Sequence, residues 1–206
     1  MKRAFFAAMV IALLLSMPTG ALAGKQDKYT DLAALQPPPN PAVDWDCWVN
    51  GANIICDAQV LGTWESVEID DLCDFSIYSI DGSESRKIRR VHDLDGRQLW
   101  SRNIRDLRDT LVLNPDGSGP RLRAFAHFVE EYHFGTPGDI STRTQTFKGT
   151  DTTIVGEGVG LVLHMNGLVT YDIDDNVLVA RGPHPILDDP DEAFGRICSA
   201  FEELTR

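Results

Sequence analysis

Basic residues are scarce in this chain: 19 Lys and Arg stand against 31 Asp and Glu, a net charge of -12. A surface of that sign repels nucleic acid and anionic lipid, so neither is expected as a partner. Long apolar runs are lacking too. The longest, Ala4 to Leu15, holds twelve residues, short of the roughly 20 that cross a bilayer as a helix. Stable membrane insertion is therefore not expected. No G-x-S-x-G nucleophile elbow occurs, since Gly117-Ser118-Gly119 reads as a turn. Only four cysteines are present. If all four are paired, no thiol is left for catalysis. No cofactor motif is found.

What the chain does have begins at its start. Lys2 and Arg3 precede the apolar run, and Ala21-Leu22-Ala23 closes it with small residues. That order reads as a secretory signal peptide over 1–23, cut after Ala23. Removing it leaves 17 basic against 31 acidic residues, a net charge of -14. The expected address is secreted and extracellular, where thiols oxidise. Residues 24–44 carry Gln36-Pro37-Pro38-Pro39-Asn40-Pro41 and read as a Pro-rich flexible spacer. Residues 45–206 read as a single domain, long enough for its own core.

The four cysteines, Cys47, Cys56, Cys73 and Cys198, allow three pairings. Geometry favours one of them. With Gly51-Ala52 as a type II′ turn, Trp48 faces Ile55 and Cys47 faces Cys56 across a non-hydrogen-bonded pair. Such pairs approach closely enough for a disulfide. Cys73–Cys198 then remains, closing a loop worth roughly 5 kcal/mol in the chain-entropy model.

From Trp45 the text alternates apolar and polar residues between turn signals: Gly51-Ala52, Asp81-Gly82, Asp95-Gly96, Asp116-Gly117-Ser118-Gly119, Asn166-Gly167 and Asp174-Asp175-Asn176. With these as hairpins and shorter breaks elsewhere, 45–181 reads as twelve short strands. The expected fold is mainly β, an antiparallel meander forming a barrel or strongly curved sheet. One C-terminal helix should pack on it. Asp189-Pro190-Asp191-Glu192 supplies its cap, and Phe194, Ile197, Cys198, Phe201 and Leu204 its apolar stripe.

Charge is unevenly placed. Ten of the 17 basic residues lie between Arg86 and Arg123, among only five acids. A turn at Asp95-Gly96 faces Arg89 with Arg102 and Arg86 with Arg105. Like charges so opposed need compensation. Arg86, Arg89, Arg102 and Arg105 are thus a candidate site for a small or polymeric anion, unless neighbouring acids such as Glu65, Glu68, Asp70 or Asp71 neutralise them. His127, Glu131 and His133 share one strand face but match no zinc spacing, so no metal site is assigned. Asp172, Asp174 and Asn176 open like an EF-hand loop, yet Val177 stands where its glycine belongs. A polar turn explains them.

The ending Gly182-Pro183-His184-Pro185, with Asp189, Phe194 and Ile197-Cys198-Ser199-Ala200, resembles the ends of small exported actinobacterial proteins of uncharacterised function. The paired early cysteines are similar as well. The resemblance implies a secreted, disulfide-bonded β domain and brings no catalytic or binding residue with it. The expected role is non-enzymatic binding or association with the cell envelope. The rival is a secreted hydrolase using carboxylates, with His127 or His133, in a barrel pocket. A dimer through an edge strand is a third expectation.

Overall fold

The computed structural model describes residues 27–69 and 72–206. The signal segment 1–23 lies outside the described residues. Eight strands form one antiparallel sheet in chain order: β1 (Trp45–Asn50), β2 (Asn53–Ile69), β3 (Ile77–Asp93), β4 (Gln98–Val112), β5 (Arg121–Phe134), β6 (Arg143–Gly156), β7 (Gly160–Tyr171) and β8 (Val177–Arg181). Two helices follow, α1 (Pro185–Asp188) and α2 (Pro190–Leu204). The mainly β meander with a helical end is as expected.

The sheet does not close into a barrel, which corrects the first of the two expected forms. β1 and β8 are its two edges and do not pair. Closure requires edge strands of matched length and stagger. Here β8 has five residues and pairs with only part of β7. The other edge is already occupied: Tyr29 N–H donates to Cys47 O at 2.9 Å and Val49 N–H to Asp27 O at 3.0 Å.

Twelve expected strands become eight through four mergers, in β2, β3, β4 and β7, and in two of these a glycine signal does not turn the chain. Asp81-Gly82 lies inside β3 as a bulge, with Asp81 at φ 54° and a register shift between Ile80 and Ser83. Asn166-Gly167 lies inside β7. Turns and bulges both favour a residue that tolerates positive φ, so the dipeptide alone does not separate them. The Gly51-Ala52 hairpin has the expected register, with Cys47 opposite Cys56 and Trp48 opposite Ile55.

Both disulfides form as expected. Cys47–Cys56 joins Cα atoms 4.1 Å apart, and Cys73–Cys198 joins Cα atoms 5.7 Å apart. The second ties the β2–β3 connection to α2. Asp189 caps α2 by accepting from Glu192 N–H at 3.0 Å. Ala193, Ile197, Ala200 and Phe201 of the helix are buried against Ile77, Leu111, Leu122, Ile154 and Leu163 at one end of the sheet. The segment that reads as a spacer packs at the other end: Leu35 is fully buried with Cys47, Ile54 and Cys56. Gln36 also bonds Gly96 O and Gln98 N at 2.8 Å each. Those backbone bonds hold residues 27–44 to the sheet despite their prolines. Both covers lie on the face that carries Cys56, Arg105 and Leu111, called here the inner face. Between them its middle is left open.

Candidate functional site

The four arginines of the basic stretch are placed two and two. Register does oppose Arg86 to Arg105 and Arg89 to Arg102. Positions three apart on a strand, however, point to opposite faces. Arg86 and Arg105 project from the inner face and both bond Glu84, at 2.8 Å and 2.7 Å. Burial works to raise the Glu84 carboxyl. Hydrogen bonds and charge from the two guanidiniums outweigh it and hold the group below its usual range. On the outer face, Arg89 makes a two-pronged contact with Asp57 at 2.8 Å and 2.7 Å. Arg102 stands 3.7 Å from Glu131, which also takes Lys148. Each arginine therefore already has a carboxylate, supplied by Glu84, Asp57 or Glu131 rather than by Glu65 or Glu68.

His127 and His133 are exposed on the outer face, and His127 Nδ1 sits 2.6 Å from Asp106. Glu131 between them is engaged by Arg102 and Lys148. Among the described residues no three His, Cys, Asp or Glu side chains converge as a metal ion requires. Asp172 accepts from the backbone N–H of Asp174 and Asn176, both at 2.9 Å, closing a polar turn.

The open middle of the inner face holds a feature that sequence reasoning missed, a cleft of about 370 Å³. Two glycines are among the residues that line it. Across β5, β6 and β7 one inner-face row reads Phe128, Gly149, Gly167. A Cβ on either glycine would meet backbone, His127 O at 2.8 Å from Gly149 and Arg181 O at 2.0 Å from Gly167, so the strands pack closely beneath the cleft. Phe147 and Tyr171 extend an aromatic wall from Phe128, with ring centroids 5.7 Å and 5.9 Å apart in sequence.

Asp151 enters the cleft as the extra residue of a β-bulge in β6, between Thr150 and Thr152. Burial pushes its carboxyl up, against the pull of His184 and Arg105. Burial, Asp151 and Asp175 together push the Tyr171 phenol up. His184 comes from the β8–α1 connection. It is 4% exposed, and its Nε2–H donates to Arg181 O at 3.0 Å. Nδ1, an acceptor when the ring is neutral, is buried without a partner.

A buried network backs this wall. Glu130, 5% exposed, accepts from Asn103 Nδ2 and Gln145 Nε2, both at 2.7 Å, and from the Tyr132 hydroxyl. It fixes Gln145, whose amide borders the cleft. Burial and the Glu130 contact drive the Tyr132 phenol far up, so it stays a donor.

Comparison of the chain with protein-family models, with curated proteins and with solved structures gives no match. The reading of the cleft therefore stands on its own residues. One sequence signal could have found it: glycines inside strand patterns mark places where a ligand or another backbone comes close. Gly149 sat unremarked in a strand, and Gly167 was absorbed into a turn.

Proposed function

We propose that the protein acts outside the cytoplasm as a non-enzymatic binding domain, with the inner-face cleft as its site. The observation that carries this is the bare Nδ1 of His184. A buried polar atom without a partner costs stability in the free protein, about 1–3 kcal/mol. Sites that retain such an atom are places where a ligand can supply the missing bond. The cleft falls within the size range of small-molecule sites, roughly 300–1,000 Å³. The rival carboxylate hydrolase also finds its residue types here, Asp151, Asp175 and His184; binding is the reading proposed because His184 bonds Arg181 O and no hydrogen bond couples it to either carboxyl. The two disulfides support an extracytoplasmic setting. Among the described residues no helix is long and apolar enough to cross a membrane.

The test is a fragment screen by amide chemical-shift mapping on oxidised, uniformly 15N-labelled protein. Hits are expected to move the amides of 145–151 and 165–171. Hits that cluster on Asp57, Arg89 and Arg102 instead would return the site to the outer arginines and overturn the cleft.

A further inference from the structure

Resting on that reading of the cleft, we propose its ligand class: a primary ammonium group carried on a small apolar body. The polar atoms that the cleft offers are nearly all acceptors. With a neutral ring, His184 donates through Nε2–H to Arg181 O and presents the lone pair of Nδ1, which has no partner. Asp151 and Asp175 present carboxyl groups. The Tyr171 hydroxyl lines the cleft with no hydrogen-bond partner among the described residues; the other side-chain donors nearby are committed elsewhere. Gln145 Nε2 bonds Glu130 at 2.7 Å and the Tyr132 oxygen at 3.1 Å. Lys148 is among the residues lining the cleft, but its ammonium pairs with Glu131 on the outer face. Arg105 is turned to Glu84 and lies over the Phe128 ring at 5.4 Å.

Charge and hydrogen bonding then select together. A carboxylate or phosphate would meet two acids and a lone pair. A neutral hydroxyl could satisfy His184 but would leave the acids uncompensated. An ammonium group has three donors and the matching charge. The faces of Phe147 and Tyr171 attract a cation as well and give its carbon body an apolar surface. A quaternary ammonium would keep the charge but, lacking N–H, would leave His184 Nδ1 bare.

The experiment titrates the oxidised protein with three probes of one shape, 2-phenylethylamine, 2-phenylethanol and phenylacetate, read by amide shifts of 145–151 and 165–171. The amine is expected to saturate these shifts at least about tenfold more tightly than the alcohol, with no saturable shift from the carboxylate. Asp151→Asn, nearly equal in volume, should weaken the amine by about tenfold or more and leave the alcohol unchanged. A folding-independent readout comes from the unmodified protein: the 15N resonance of His184 Nδ1 should move as the amine saturates. If alcohol or carboxylate binds in the cleft as tightly as the amine, the ammonium class falls while the cleft stands. If the amine saturates without moving Nδ1, the class falls too. If none of the three probes moves the cleft amides, both the cleft and its ligand class are overturned.

Discussion

Gly167 and Gly182 lie so close that neither position has room for a side chain. A Cβ on Gly167 would sit 2.0 Å from Arg181 O, and one on Gly182 would sit 2.3 Å from Asn166 O. Both have positive φ, 139° and 96°. This contact between β7 and the end of β8 lets Asn166 N–H reach Pro183 O at 3.1 Å. The next residue is His184, which is thereby set behind the cleft.

Gly167→Ala and Gly182→Ala should each force the two backbones apart. A clash with backbone oxygen cannot be relieved by rotating a side chain, and the positive φ adds strain of about 1–3 kcal/mol. Urea unfolding is expected to show a loss at or above that range. Amide shifts should change around His184 and the cleft, while α2, tied separately by Cys73–Cys198, stays unperturbed. A variant as stable as the parent would show that the close approach is dispensable.

The two disulfides should contribute unequally. Cys73–Cys198 spans a sequence separation of 125, and Cys47–Cys56 spans 9. Loop-closure entropy then assigns about 5 kcal/mol to the first and about 3 to the second. Replacing both partners of each pair by Ala should reproduce that order in chemical denaturation. The long bridge also pins Phe201, fully buried and edge-on to Phe75 at 6.3 Å, so its loss should loosen the helix end of the core first. Equal losses would argue that the unfolded chain is already compact.

How far the sequence could be read follows from the range of each signal. The Cys47–Cys56 hairpin was legible because its turn, pairing and disulfide all lie within ten residues. The α2 stripe was legible because its period is local, although Cys73 as its partner came only by elimination. The arginine pairs were placed opposite one another correctly, yet period two already puts Arg86 and Arg89 on different faces, which divides the four-arginine site. Their partners were hidden: Asp57 sits on β2 opposite Arg89, and Glu84 lies two residues before Arg86 on the same face. Beyond the hint of glycines inside strands, the cleft was illegible since it needs three strands in register, a bulge at Asp151 and a glycine contact from β8. None of these is a local property.

Acid should destabilise the fold through His92. This residue is fully buried at the β3 end, and its Nδ1–H donates to Gly96 O at 3.0 Å. Burial, joined by the Arg90 charge, drives its pKa from 6.5 down to about 4. A depressed histidine binds its proton more readily in the unfolded chain. Stability is therefore intact above the unfolded value, and it declines as pH falls from 6.5 towards 4. The full penalty is about 3 kcal/mol. Asp109 opposes it, because burial raises that carboxyl and falling pH relieves its cost. Imidazole resonances should show His92 neutral at pH 5, and His92→Gln should flatten the acid limb of the stability curve. A His92 ring that titrates near 6.5 would contradict its burial.

Trp64 covers Gly82, and the pair should behave as a single packing unit. A Cβ on Gly82 would fall 1.7 Å from Cε2 of the indole, so the ring occupies the space that a side chain would fill. From there Trp64 Nε1–H donates to Ser79 Oγ at 2.5 Å, and the Ser79 hydroxyl donates to Asp109 Oδ2 at 2.7 Å. This chain crosses β2, β3 and β4 at the bulge where Asp81 and Gly82 are unpaired in the ladder to β4, while Gly82 pairs with Trp64 on β2. Gly82→Ala displaces the ring, strips Ser79 of its donor and exposes Asp109 to water. The expected cost is about 1–3 kcal/mol, with red-shifted tryptophan emission. Because exposure removes the burial that raises Asp109, its carboxyl should titrate lower in the variant than in the parent. Trp64→Phe keeps the cover but not the N–H. It should lose about 1 kcal/mol, the value of one hydrogen bond, and leave Gly82 protected. If Gly82→Ala instead stabilises the protein, the ring moves aside without consequence and the hydrogen-bonded chain does not hold the bulge.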